Sequence, residues 1–221
     1  MSRIRARAWT LALAAAGAAF AAEAPPPARQ IATAVQAAPE EFRQGATVLG
    51  YDATGALKVL REGTNDIVCL ADDPARGGVE VDCYARSLEP FMKRGRELKA
   101  QGLSDEERTE KRWQEAAAGS LKLPTSPATL YVLTGSGIDA ASGAVTDPYR
   151  RYVVYIPGAT SESTGLPSAP VAPGAPWIMF PGTPGAHIMI NPPKPAAPPA
   201  PPAAEKKDRL SDRDHPRRTT R

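Results

Sequence analysis

The two cysteines are the only ones in this 221-residue chain, and each stands inside a run of alternating side chains. They constrain the fold more than any other feature. Ile67, Cys69 and Ala71 alternate with Val68, Leu70 and Asp72, while Val79, Val81 and Cys83 alternate with Glu80, Asp82 and Tyr84. A period of two marks a strand with two unlike faces. Placing Cys69 opposite Cys83 gathers Ile67, Val79 and Val81 on the cysteine face and turns Glu80 and Asp82 to the other. Pro74-Ala75-Arg76-Gly77-Gly78 is left as the turn. With no C-x-x-C and no histidine nearby, the pair reads as a structural bridge, whose loop of about 15 residues contributes about 3 kcal/mol on a chain-entropy argument.

The same reasoning extends along the chain. Residues 46–51 and 56–60 flank Asp52-Ala53-Thr54-Gly55 and predict a hairpin; Asp139 to Ala144 has similar turn chemistry. Thr129 to Thr134 and Arg151 to Ile156 are rich in β-branched and aromatic residues and predict two paired strands. Trp177 to Phe180 and His187 to Ile190 bracket a Pro/Gly turn as a last strand pair. Helices are predicted over residues 29–43, over 88–101 capped by Ser87 and ended by Gly102, and from the capping box Ser104/Glu107 to about Ala118, ended by Gly119. Trp113 is the one large apolar anchor of the last. The fold class expected is α+β: a mainly antiparallel sheet of hairpins, two or three helices on one side, and one disulfide.

Residues 1–22 carry Arg3, Arg5 and Arg7, then an apolar run from Trp9 to Ala19 and small residues before Glu23. This is the pattern of a cleaved export signal, with Ala21 or Ala24 at the cut; the apolar run is shorter than the roughly 20 residues of a spanning helix. Residues 23–28 form a Pro-rich spacer, 29–191 a single domain, and 192–221 a Pro-rich, basic tail expected to be disordered. Periplasmic or extracellular localisation follows, and an oxidising compartment suits the bridge. Of 27 basic and 24 acidic residues, the segment Glu23–Asn191 keeps 16 and 20, a net charge of −4, which argues against a nucleic-acid partner. The tail, with eight basic and four acidic residues, suits an anionic envelope surface.

With His215 in the tail, His187 is the one histidine left for chemistry in the domain. A hydrolase would use Ser136 as nucleophile, His187 as base and Asp139 or Asp147 to orient it, but Gly135-Ser136-Gly137 lacks the G-x-S-x-G elbow. A soft metal would use His187, Met189 and Met179. Together with Trp177, these residue types resemble, over 177–189, the Met/His/Trp ligand set of small periplasmic copper-binding proteins, which implies Cu(I) as the ion. With Phe180 opposite His187, however, Met179 and Trp177 fall on the face away from His187 and Met189, and the four read as core packing. Asp72 and Asp73 lack the spacing of a calcium loop and read as turn residues. No dinucleotide, phosphate-loop or zinc motif is present and no cofactor is expected. The leading expectation is a non-enzymatic binding or envelope-associated module, with the loop 157–176 and the segment from Trp177 as its contact region.

Overall fold

The computed structural model describes residues 24–194, so the expected export signal over residues 1–22 and the expected tail from residue 195 lie outside the described residues. Ten strands form within it: β1 (Thr47–Tyr51), β2 (Leu57–Arg61), β3 (Ile67–Leu70), β4 (Val79–Ala85), β5 (Ala128–Gly135), β6 (Gly137–Ile138), β7 (Val145–Thr146), β8 (Tyr149–Tyr155), β9 (Trp177–Met179) and β10 (His187–Ile190). Eight make one sheet in the order β2-β1-β3-β4-β5-β8-β10-β9, and β6 and β7 pair as a separate ribbon. Every neighbour in the large sheet is antiparallel except β1 and β3. Cys69 stands directly opposite Cys83 with Cα atoms 4.0 Å apart, and the two are disulfide-bonded.

Alternation along the strands gives the sheet two cores. Val48, Cys69, Val81, Cys83 and Leu133 point to one face, where they meet Ala34, Ala37 and Ala38 of the N-terminal helical segment. Val68, Tyr84, Leu130, Val153 and Met189 point to the other, against Leu88 and Met92. The helices are thus divided: α1 (Pro27–Ala34) lies on the disulfide face, while α3 (Glu89–Ala100) packs on the opposite one and α4 (Asp105–Ala117) packs against α3. Small alanines let α1 approach closely, and two glutamines fasten this segment. Gln30 donates to Tyr51 O (2.7 Å) and accepts from Tyr51 N (2.8 Å), standing in for a strand neighbour; Gln36 bonds Gly143 O and Val145 N on the ribbon. Gly50 is required here, because a Cβ would run into the Gln30 amide oxygen.

Three expectations are corrected. The helix predicted over 29–43 is broken: α1 runs into a 3₁₀ turn (Val35–Ala37), Ala38 is extended (ψ 153°) as a residue before proline tends to be, and Pro39 starts the four-residue α2 (Glu40–Arg43). Ser87 caps nothing; it sits inside a 3₁₀ turn (Arg86–Leu88) that leads directly into α3, with Pro90 in the first turn. The segment 157–176 is not a free loop. It holds a short helix, α5 (Ser161–Thr164), and is tied to the last hairpin through Gly158 N to Thr183 O, Gly182 N to Ala159 O, Ile178 N to Pro167 O and Gly174 N to Asn191 O, all 2.7–3.0 Å. It runs as a strap along β9, using a Pro-rich backbone to close a sheet edge that would otherwise be open to pairing.

The capping box does form: Glu107 N donates to Ser104 Oγ (3.3 Å) and Ser104 N to Glu107 Oε2 (2.8 Å). Gly102 and Gly119 take the left-handed conformation (φ +86° and +75°) that ends α3 and α4.

Candidate functional site

The site of interest lies at the β9/β10 end of the sheet, on the α3 face. Phe180 adopts φ +55°, so it leaves the strand instead of pairing, and the hairpin register begins one residue earlier than the sequence pattern suggested. His187 is opposite Met179, and Met189 is opposite Trp177. The sequence-based assumption of Phe180 opposite His187 is thereby corrected, and its consequence reverses. Residues opposed across an antiparallel pair share a face, so His187, Met189, Met179 and Trp177 stand together.

His187 and Met189 are each 8% exposed, and Met179 and Trp177 are half-buried. Tyr155 of β8 lies behind the imidazole (ring centres 5.0 Å), and Phe180 meets its edge (5.8 Å). Trp113 of α4 packs edge-on against Phe180 (5.2 Å) and also lies against Gly185, where an added Cβ would collide with the indole. Met92 of α3 joins the same cluster, and Arg112 lies over the Phe91 ring at 4.2 Å.

The imidazole is fixed in one tautomer. His187 Nδ1 lies 2.7 Å from the Gly185 carbonyl oxygen, an acceptor only, so Nδ1 bears the proton and Nε2 keeps its lone pair. No hydrogen bond reaches Nε2 among the described residues. Burial pushes the His187 pKa below its ordinary value, partly offset by the Gly185 hydrogen bond, and so favours the neutral ring. The Trp177 indole N–H is buried with no acceptor among the described residues.

The proposed hydrolase residues are not brought together. Ala128, at the start of β5, is level with Tyr155 and His187, while Ser136 follows its far end, eight residues and thus about 27 Å along the sheet. Ser136 Oγ instead donates to Asp147 Oδ2 (2.5 Å), and Asp139 accepts from Ser142 N and Ser142 Oγ in its own turn. Asp72 accepts from Glu80 N, and Asp73 pairs with Lys99 (2.9 Å), so the two acids serve the β3–β4 turn. Among the described residues no three His, Cys, Asp or Glu side chains gather as a metal site.

Sequence reasoning missed Phe180 and Tyr155 as neighbours of His187, and Trp113 and Met92 as residues that back Phe180 and Met189. They come from four separate elements, and only the left-handed Phe180 has a local signal, the Pro-Gly that follows it. Comparison with protein-family models, curated proteins and solved structures finds no match for this chain.

Proposed function

We propose that this chain is an exported, non-enzymatic binding protein of the cell envelope, with the β9–β10 hairpin and its strap as contact region. The observation that carries the reading is Phe180. A bulky residue in the left-handed region costs roughly 1–2 kcal/mol, yet Phe180 stays 42% exposed, so its burial is incomplete. Strain of this kind collects where a side chain is held out for a ligand. The ring is steadied from below by Trp113 and His187, an arrangement suited to an apolar or planar partner.

Export is supported by the basic and apolar pattern of residues 1–22 and by the disulfide, a bond at home in oxidising compartments. Among the described residues no helix is long and apolar enough to cross a membrane. A non-enzymatic role is favoured because Ser136 and His187 are held at opposite ends of the sheet. The basic end of residues 192–221 suits an anionic surface and would add to the contact.

Intact-mass analysis of protein from an exporting host tests export: loss of residues 1–21 or 1–24, with two thiols appearing only on reduction, is expected, and a full-length chain with free thiols overturns it. Co-sedimentation with purified cell walls and with phosphatidylglycerol vesicles tests the contact. Wild type is expected to sediment with one of them and Phe180→Gly to be released, since glycine keeps the turn and removes only the ring. Cutting the chain after Asn191 separates the tail's share. Equal sedimentation of wild type and Phe180→Gly rejects the hairpin as contact region, and no sedimentation with either material rejects the envelope reading.

A further inference from the structure

We propose that the face shared by β9 and β10 is a Cu(I) site, with His187 Nε2, Met179 Sδ and Met189 Sδ as ligands and the Trp177 indole as a cap. The inference deepens the binding reading by naming a ligand, and it rests on the register.

Opposed residues of an antiparallel pair have Cβ atoms about 5 Å apart, and alternate residues of one strand about 7 Å apart. His187, Met179, Trp177 and Met189 therefore mark the corners of a small rectangle, whose centre is about 4 Å from each Cβ. Imidazole and thioether side chains reach that far, and methionine's three rotatable bonds let both sulfurs turn to a common point. Met179 and Met189 come from diagonal corners, so the metal would bridge the two strands instead of sitting on one.

The group that would orient the imidazole is already in place. A metal-bound histidine commonly donates its other ring N–H to a carbonyl, and His187 Nδ1 does so to Gly185 at 2.7 Å. That bond directs the bare Nε2 away from the turn and leaves it without a competing donor among the described residues. The Trp177 indole stands opposite Met189 with no partner for its N–H among the described residues, so hydrogen bonding does not explain its placement, and a cation over indole is the strongest of the aromatic pairings.

The donor set selects the ion. Two thioethers and one imidazole are neutral and soft, which suits Cu(I) and leaves Zn²⁺, Mg²⁺ and Ca²⁺ without the thiolates or oxygens they prefer. In a largely buried, apolar setting walled by Tyr155 and Phe180, a monocation is also less costly to desolvate than a dication. The only thiols of the chain are joined in the disulfide, on the opposite face of the sheet.

The test is an anaerobic titration of the full exported protein with Cu(I), kept reduced by ascorbate so that the disulfide survives, in competition with a colorimetric Cu(I) chelator. One Cu(I) per chain is expected, with no Zn²⁺ bound under the same competition. The Met179→Leu/Met189→Leu variant keeps side-chain volume and is expected to weaken Cu(I) by more than about 100-fold, beyond the loss typical of an outer-shell partner. His215→Asn should leave the affinity unchanged. X-ray absorption on copper-loaded wild type needs no variant: a shell of two sulfurs and one nitrogen supports the site, and a shell of nitrogen and oxygen alone overturns it. No stoichiometric Cu(I), or full affinity in the folded double leucine variant, overturns it as well. None of these outcomes bears on the sedimentation of Phe180→Gly, so failure of the copper site and failure of the contact reading remain distinguishable.

Discussion

The two faces of the sheet are stabilised by different means. The disulfide face is made of small parts: alanines from the N-terminal segment, valines from three strands and a covalent bond between neighbours. The α3 face is made of large and polar parts. Tyr84 OH donates to Glu89 Oε2 (2.6 Å) and accepts from Arg96 (2.9 Å), Arg94 grips Glu115 through two bonds (2.8 and 2.7 Å), and α4 buries no residue completely. One face is closed by fit and a covalent bond, while the other is held by directional contacts and carries the Met/His/Trp cluster.

The largest test of this contrast is removal of the bond. Cys69 and Cys83 are fully buried, so Cys69→Ala/Cys83→Ala loses both the chain constraint and some packing; about 2–5 kcal/mol of stability should go in urea unfolding. A loss under about 1 kcal/mol would mean that alanine and valine packing alone closes this face.

Asp82 sharpens the comparison from the other side. It stands on the α3 face in a row with Leu70, Val132 and Arg151, and its Oδ1 is buried without a hydrogen-bond partner among the described residues. Burial, reinforced by the Glu80 carboxylate and opposed by Arg151 and Arg76, pushes its pKa from 3.8 up to about 7. The unfolded chain therefore ionises first. The contribution from Asp82 is fully present below about pH 4 and is lost as the pH rises to about 7. Asp82→Asn should abolish this slope and be more stable than wild type by about 1–3 kcal/mol at pH 8, with little difference at pH 4. Parallel stability–pH curves for the two proteins would show that the carboxyl is solvated in solution.

What the sequence made legible follows from range. Strict alternation around Cys69 and Cys83 predicted register, face and bridge together, because a one-residue slip would separate the two cysteines and turn Glu80 and Asp82 onto the face that Val48 and Ala34 close. The Ser104 box and the terminal glycines were legible because their physics is local. The β9–β10 register was not, because both candidate registers bury apolar residues and the choice turns on the backbone of Phe180. The strap was not legible either: Pro and Gly announce irregular backbone but not the edge it covers. His187 and Met189 were visible as residues, whereas their convergence with Met179 and Trp177 depended on that one dihedral.

Gly185 links the cluster to the helices and provides the next test. The Trp113 indole fills the space a Cβ would take, so Gly185→Ala must push α4 outward or tilt the turn that holds His187 Nδ1. A cost of about 1–3 kcal/mol is expected from overpacking against a rigid ring. Nitrogen chemical shifts of His187 should move toward a mixture of tautomers. Unchanged shifts at unchanged stability would detach Trp113 from the site.

The smallest effect concerns α4 itself. Ser104→Ala removes the side-chain acceptor for Glu107 N and unseats the reciprocal bond from Ser104 N, a loss of about 1 kcal/mol. Because α4 has no fully buried residue and reaches the body through Arg94–Glu115, Trp113–Phe180 and Arg112–Phe91, the cost should be confined to this helix and its neighbours. Amide exchange should accelerate over the first turn of α4 and leave β3 and β4, which the disulfide joins, as protected as before. Equal acceleration in both regions would show that the two faces unfold as one unit, and the division of labour between them would then be one of chemistry alone and not of cooperativity.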